Sequence, residues 1–465
     1  MRNQAQTNRI NDVGVTDDMI TGRGGLALFV RYLTNIQLLP LLNESFGSLR
    51  KNAKGLSVTK LFLQIFCFFF DGTSRHLSHF DLLAQDQGYA ATIETEMKEM
   101  ASSHTIKRFF ALFAWWHGDP FRKILNQLFV WRLKLSLPRV VELAIDTMVM
   151  DNDEAQKRHG VEPTYKKKKG FQPLHMIWGS MIVDAVFRGG KKHSNYGNTV
   201  VNMIRRMVSL IRSACGDTVL IVIRMDSGFL DEKILAVLDE LKVGFIVSGK
   251  MFNSVKNYVA SQSAEKWGRY DHERQSWQYL EFDWGCDAWE YSYRTLYTRP
   301  VYDDDQGLLE FARPDNIIIT NLDEDSPALA QVTQAEREHW LNPETIIASH
   351  HSRGADELPH RGVKDFGFEQ LPFKRFAANS AFYYCMLIAF FLFESFKQDV
   401  LKDVIPVTSY ATTVRRKFID IAAKIVTSGH QIILKVSRTV MERLQLATLW
   451  LHCNDPVPIP ATIYR

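Results

Sequence analysis

Cysteine is scarce and unpatterned in this chain. Its five cysteines, Cys67, Cys215, Cys286, Cys385 and Cys453, are scattered through 465 residues and never spaced as CxxC. That excludes a disulfide framework and a zinc knuckle, and fits reduced thiols in a cytosolic protein. Charge of one sign is equally short. Lysine and arginine number 56 against 52 aspartates and glutamates, a net charge of +4, so no uniform basic field covers the surface and only local patches can hold a polyanion. Fixed-period repeats and low-complexity tracts are absent, which excludes solenoids and disordered tails of biased composition. The long hydrophobic runs, 61–70 and 381–393, are too short to span a bilayer and read as buried core helices. The opening "MRNQAQTNRINDVGV" lacks the apolar stretch of a signal peptide. A cytoplasmic chain is expected.

What is present is ordinary globular material, 46% hydrophobic and 23% charged, in a chain long enough for two to four domains. Residues 1–135 read as helical. "SVTKLFLQIFCFFFDG" and "SSHTIKRFFALFAWWHG" each open on Ser or Thr and close at Gly, as capped helices do. The second, with Lys107 and Arg108, is a weak helix-turn-helix candidate. From 136 to 250 the texture changes to β-branched apolar runs broken by helical stretches, an α/β pattern with a mixed sheet. Residues 251–342 are rich in Trp, Tyr and alternating charge and read as a β-rich insertion. A charged stripe and an apolar helix fill 343–400, and 401–465 holds one helix and one strand.

Two acids sit where acids are costly. Asp146 lies inside "LAIDTMV" and Asp226 ends "VLIVIRMD". A charge in such a run must be paired or bound to a cation, and strand C-termini commonly present functional groups. A strand-end cap or salt bridge explains either acid alone. A third acid stands in "HHSRGADELPHRGVKDFG": Arg353 precedes Glu357 by four positions, Lys364 follows it by seven, and Arg361 lies beside them. Four and eleven helical steps return to nearly one face; a salt-bridged surface helix shows the same spacing. Pro359 is tolerated only in a first turn. The helix therefore begins near Asp356, leaving Arg353 off the stripe, or it kinks. Asp356 is the runner-up for the third acid. Three carboxylates within ~5 Å repel by several kcal/mol at an effective dielectric near 20. A hard cation held by oxygen alone relieves this, Mg²⁺ or Mn²⁺, and two such ions can straddle a phosphodiester. Arg353 and Lys364 would grip the flanking phosphates.

Asp146, Asp226 and Glu357 in this order, with "IRMDSGF", "VKDFGFEQLPFKRFAANSAFYY" and "VRRKFIDIAAKIV", resemble the DDE transposases of bacterial insertion sequences, in the group carrying a Tyr-x2-Arg-x3-Glu-x6-Lys block. Arg353, Glu357 and Lys364 match the block; His350 occupies its tyrosine position. The resemblance spans roughly 140–436. It implies a ribonuclease-H-like core in two parts, 136–250 and 343–400, interrupted by the insertion 251–342. A DNA-binding N-terminal region, 1–135, would precede it, and a DNA-binding or dimerisation segment, 401–465, would follow. It implies that Asp146, Asp226 and Glu357 are the catalytic metal ligands, for two Mg²⁺ or Mn²⁺ ions, and that His350, Arg353, Arg361 and Lys364 meet DNA. Lys166, Lys167, Lys168 and Lys169 of "YKKKKGF" suit phosphate contact as well as a solvated loop. Trp284 and Trp289 suit stacking on a flipped base, and equally a sheet core. The implied partners are double-stranded DNA, both terminal inverted repeats and target, with a homodimer on paired ends in the bacterial nucleoid. Alternatives are a nuclease or junction resolvase on the same scaffold, and a catalytically silent DNA-binding derivative.

Overall fold

Nine strands form one twisted sheet: β1 (Val140–Thr147), β2 (Leu174–Trp178), β3 (Met181–Val186), β4 (Leu220–Met225), β5 (Gly244–Ser248), β6 (Gly268–His272), β7 (Gln275–Trp284), β8 (Tyr293–Val301) and β9 (Asn316–Thr320). The computed structural model describes residues 10–50, 55–155, 157–193, 195–272, 275–286, 289–301, 315–352 and 357–460. Across the sheet the order is β6-β7-β8-β9-β5-β4-β1-β2-β3. β1, β4 and β5 are mutually parallel and every other pairing is antiparallel. The parallel strands are the most apolar because helices cover both faces. The crossovers that parallel pairing demands run through helices Thr199–Cys215, between β3 and β4, and Glu232–Glu240, between β4 and β5.

The Trp- and Tyr-rich insertion does not build a sheet of its own. Its strands β6–β9 extend the central sheet, joined by the β9–β5 pairing of Ile318 with Ser248. A small separate sheet lies between β1 and β2: Met150–Asp151, Glu162–Pro163 and Lys169–Phe171, with the last in the middle. Gly170 permits this packing, since a Cβ there would stand 1.9 Å from the Met150 carbonyl oxygen.

The N-terminal region is helical as expected, and its two serine caps are those written in the sequence, but of the two closing glycines only Gly72 ends its helix: Ser103–Ala111 stops at Leu112, and Gly118 opens the next helix, Gly118–Ser136. Ser57 Oγ accepts from the Lys60 amide at the head of Val58–Asp71, which closes at Gly72 with φ +60°. Ser102 does the same for Ser103–Ala111. One strand was not anticipated: Met19–Thr21 pairs with Ala423–Ser428, which pairs in turn with Gln431–Lys435. The tail thus holds a hairpin and short helices, including Leu446–Asn454, rather than one strand and one helix.

Both apolar runs are core. Phe70 of the first packs on Phe366, Phe393 and Phe396. Among the described residues, one helix is long and apolar enough to cross a membrane, Phe376–Leu401, and 89% of its most apolar window is buried inside the fold. It runs through the centre, against helices Val58–Asp71 and Gly118–Ser136 and strand β3.

Candidate active site

The register of the parallel strands brings the two aspartates together. Ile145 pairs with Met225, and Asp146 and Asp226 each follow one residue later, on neighbouring strands about 4.8 Å apart. Each carboxylate has one oxygen fixed by backbone: Asp146 Oδ1 accepts from the Thr147 amide at 2.6 Å and Asp226 Oδ1 from the Gly228 amide at 2.8 Å. Asp146 is 30% exposed, so both acids open to one side of the sheet without being lost to bulk water.

Glu357 is the first residue of helix Glu357–Phe366, and Pro359 lies in that first turn, where the missing amide is harmless. One turn on, and on the same side, His360 places its Nδ1 3.6 Å from Asp146 Oδ2. The helix therefore starts above the aspartates, with Glu357 at the mouth, 67% exposed.

Tyr165 reports on all three acids. Tyr165 is 63% exposed, yet desolvation by its neighbours, then the negative charges of Asp146, Asp226 and Glu357, push its phenol above the ordinary range. Three carboxylates distant in sequence thus act on one hydroxyl. Tyr165 sits on the hairpin joining Glu162–Pro163 to Lys169–Phe171. Its turn is closed by Lys167 N–H donating to the Thr164 carbonyl at 3.1 Å and Thr164 N–H donating to Lys168 O at 2.9 Å, with Lys167 at φ +58°.

The imidazole of His360 is pulled down to about 4, by burial first and then by Lys364 and Lys166. Geometry alone would allow an ion pair with Asp146, but burial and the two lysines outweigh it, and the ring is neutral near pH 7. His175, strand partner of Asp146, is held well below the usual histidine range by burial, then by His360 and Arg188. Lys166 and Lys364 therefore stand close enough to act on a ring that touches Asp146.

The other nominated residues fall out unevenly. Arg361 is exposed, its Nη2 3.9 Å from Glu357 Oε2. Lys364 is ion-paired with Glu369. Lys168 lies 3.9 Å from Asp151 and 4.0 Å from Asp153; Lys166 and Lys167 are exposed at the hairpin tip and Lys169 is half-buried in its strand. His350, expected at the DNA, is only 8% exposed. Its Nε2 meets Ser248 Oγ at 2.9 Å, so the ring fastens helix Pro343–Ser352 to the end of β5 and offers no surface to a phosphate. Trp284 packs on Phe252 and on Trp289, which packs on Tyr293; both indoles are half-buried in this cluster. Arg353 and Asp356 lie outside the described residues. Sequence reasoning missed Tyr165, His175 and His360. The first was visible only as the flank of a lysine run, and the histidines carry no spacing signal.

The donor chemistry fits a hard divalent cation: carboxylate oxygens, two of them on adjacent strand ends. Among the described residues no three His, Cys, Asp or Glu side chains already stand close enough to enclose one, so the arrangement is an open site, with Asp146 and Asp226 as its base and Glu357 at its rim.

No curated protein shows significant similarity to the chain. Among solved structures, the piggyBac transposase synaptic complex with hairpin DNA aligns over 87% of this chain and 83% of its own at 11% identity, with a TM-score of 0.42, too low to carry an argument. The family model described as transposase DDE domain group 1 matches residues 5–452, nearly the whole length, and the chain belongs to that family of DDE transposases.

Proposed function

We propose that the protein is the DNA transposase of an insertion sequence, cutting the element's ends and joining them to target DNA through Asp146, Asp226 and Glu357. The observation that carries this reading is the pairing of Ile145 with Met225, which sets Asp146 and Asp226 at adjacent strand ends, with His360 of the helix that begins at Glu357 standing 3.6 Å from Asp146. The strand order β3-β2-β1-β4-β5, with β2 alone antiparallel to the other four, supports a ribonuclease-H-like core beneath them.

Each step exchanges one phosphorus–oxygen bond for another, so no outside energy source is needed. Water attacks the phosphodiester at the element's end, its oxygen staying on the 5′-phosphate while the 3′-oxygen leaves and takes up the water's proton as a 3′-hydroxyl. That hydroxyl attacks a target phosphodiester in the same pocket, forming a new phosphodiester while the target strand's own 3′-oxygen leaves and takes up the proton as a second 3′-hydroxyl. Asp146, Asp226 and Glu357 would hold Mg²⁺ or Mn²⁺, which when bound supplies Lewis acidity and an activated oxygen nucleophile. Asp146 and Asp226 stay oriented by their amide hydrogen bonds. Lys166, Arg361 and Lys364, around the rim, hold the phosphates on either side. Two copies acting on paired ends, in the bacterial nucleoid, complete the reading.

The test is incubation with the element's terminal inverted repeats, target DNA and Mg²⁺. Nicked ends and joined products are expected, and both should vanish with chelator and in Asp226→Asn. Cleavage without joining would assign a nuclease instead; unchanged activity in Asp226→Asn would sink the catalytic assignment.

A further inference from the structure

Behind Asp146 lies a buried polar chain that neither phosphate contact nor the three acids account for. Tyr383, from the central helix Phe376–Phe396, places its hydroxyl in hydrogen-bond contact with His175 Nε2. His175 Nδ1 meets His360 Nε2 at 2.9 Å, and His360 Nδ1 faces Asp146 Oδ2 at 3.6 Å. Tyr383 and His175 are fully buried and His360 nearly so. Three polar side chains inside an apolar core are costly unless each is satisfied; here Tyr383, His175 and His360 satisfy one another in turn, and His360 Nδ1 stands within ion-pair range of Asp146 Oδ2.

With one proton on each ring, the chain has one consistent direction. A carboxylate only accepts, so His360 must carry its proton on Nδ1, toward Asp146. Its Nε2 is then a lone pair, and His175 must donate from Nδ1. His175 Nε2 is left as an acceptor, and the Tyr383 hydroxyl donates to it. Every proton points toward Asp146. The opposite direction would aim an imidazole lone pair at a carboxylate.

We infer that Tyr383, His175 and His360 form a positioning relay that fixes Asp146 Oδ2 and the start of the Glu357 helix, so that the aspartate pair is preset for a divalent cation. The inference rests on the reading of Asp146 as a cation ligand. His360 does double duty: it stands one turn from Glu357 on the same helix, so the contact that orients Asp146 also sets the height of the third acid over the sheet. Partners of this kind, behind a ligand, typically change metal affinity by about 10–100-fold when removed.

The measurement is Mn²⁺ binding to the full chain, read by the electron paramagnetic resonance of free Mn²⁺, with thermal unfolding run alongside. His360→Gln, which moves the amide off the Nδ1 position, should weaken binding by about tenfold or more. His360→Asn, whose Nδ2 can stand where Nδ1 stood, should recover most of it. Tyr383→Phe removes one hydroxyl and nothing else. It frees His175 to flip its tautomer and should weaken binding by a few-fold while the chain stays folded. Imidazole ¹⁵N shifts should show both His175 and His360 protonated on Nδ1 in the native protein. Folded His360→Gln and Tyr383→Phe binding Mn²⁺ like the native chain, while Asp146→Asn does not, would overturn the relay alone. Native binding in Asp146→Asn would overturn the cation reading beneath it, and the relay with it.

Discussion

An aspartate inside an apolar strand is a signal with two meanings, and the partner decides which. Asp146 in "LAIDTMV" and Asp184 in "MIVDAVF" look alike in sequence. In the fold Asp184 is fully buried, its two oxygens taken by Arg122 Nε at 2.9 Å and Nη2 at 2.6 Å, whereas Asp146 opens toward Asp226 and His360. The logic that buried charge needs a reason found Asp146 and Asp226 from sequence, because a strand's apolar run makes the exception visible. It passed over Asp184, whose arginine lies on a helix far upstream. His175 and His360 were illegible for the same reason: their bonds to each other and to Tyr383 are contacts between segments, and no local spacing announces them. The two kinds of aspartate should respond oppositely to removal. Asp184→Ala strands the Arg122 guanidinium, itself 17% exposed, and should cost about 3–5 kcal/mol. Asp146→Asn removes one of several mutually repelling charges and should leave stability in chelator unchanged or slightly raised. Denaturant melts of both variants check this; equal destabilisation would place Asp146 among the structural pairs.

At the scale of elements, what is local was legible. Serine caps, the closing Gly72 and the first-turn place of Pro359 all follow from backbone rules that act within a few residues, whereas Gly118, beyond the end of Ser103–Ala111, opens the next helix instead of closing that one. The insertion was harder, because alternating strands read the same whether they build their own sheet or extend another, and the β9–β5 register that decides it joins residues far apart. The lysine hairpin lies between these cases: its turn was readable, its position over the acids was not. That position separates the lysines. Lys166 projects at the tip, near His360, while Lys168 is already held by Asp151 and Asp153. Lys166→Ala should therefore remove a phosphate contact and lower the slope of log K against log salt by about 0.9. Lys168→Ala should lower it less, since its charge is partly spent within the protein. Binding of end DNA titrated across salt concentrations measures both, and a larger loss for Lys168 would reverse the assignment.

At the scale of the molecule, one buried apolar cluster runs from Leu26 to Ile459 across residue 135, and a single side chain shows how the segments are tied. Arg415 belongs to the basic run "RRK", which in sequence suggests weak phosphate contact. Its guanidinium instead donates to four carbonyls: Phe69 at 2.7 Å, Phe70 at 3.0 Å, Asp365 at 3.2 Å and Phe366 at 2.7 Å. These are the last-turn carbonyls of helices Val58–Asp71 and Glu357–Phe366, the groups that have no partner within their own helices and attract a cation. Gly72 makes room, since a Cβ there would fall 2.1 Å from Arg415 Cζ. One residue near the C-terminus thus ties the N-terminal helices to the helix that carries Glu357 and His360, while Met19–Thr21 and Ala423–Ser428 join the two ends of the chain in one sheet. Removing the guanidinium leaves both helix ends unsatisfied. At about 1.5–3 kcal/mol for each hydrogen bond to a charged group, and short of additive, Arg415→Ala should cost 3 kcal/mol or more, by about the same principle. Because the loosened helix is the one above the aspartates, Mn²⁺ affinity should fall in the fraction that remains folded. The native chain should unfold in one calorimetric transition, and residues 136–465 expressed alone should not fold, because the fragment loses the aromatic face of Val58–Asp71. Two separated transitions, or a folded fragment, would restore the boundary at 135 and reduce Arg415 to a local cap.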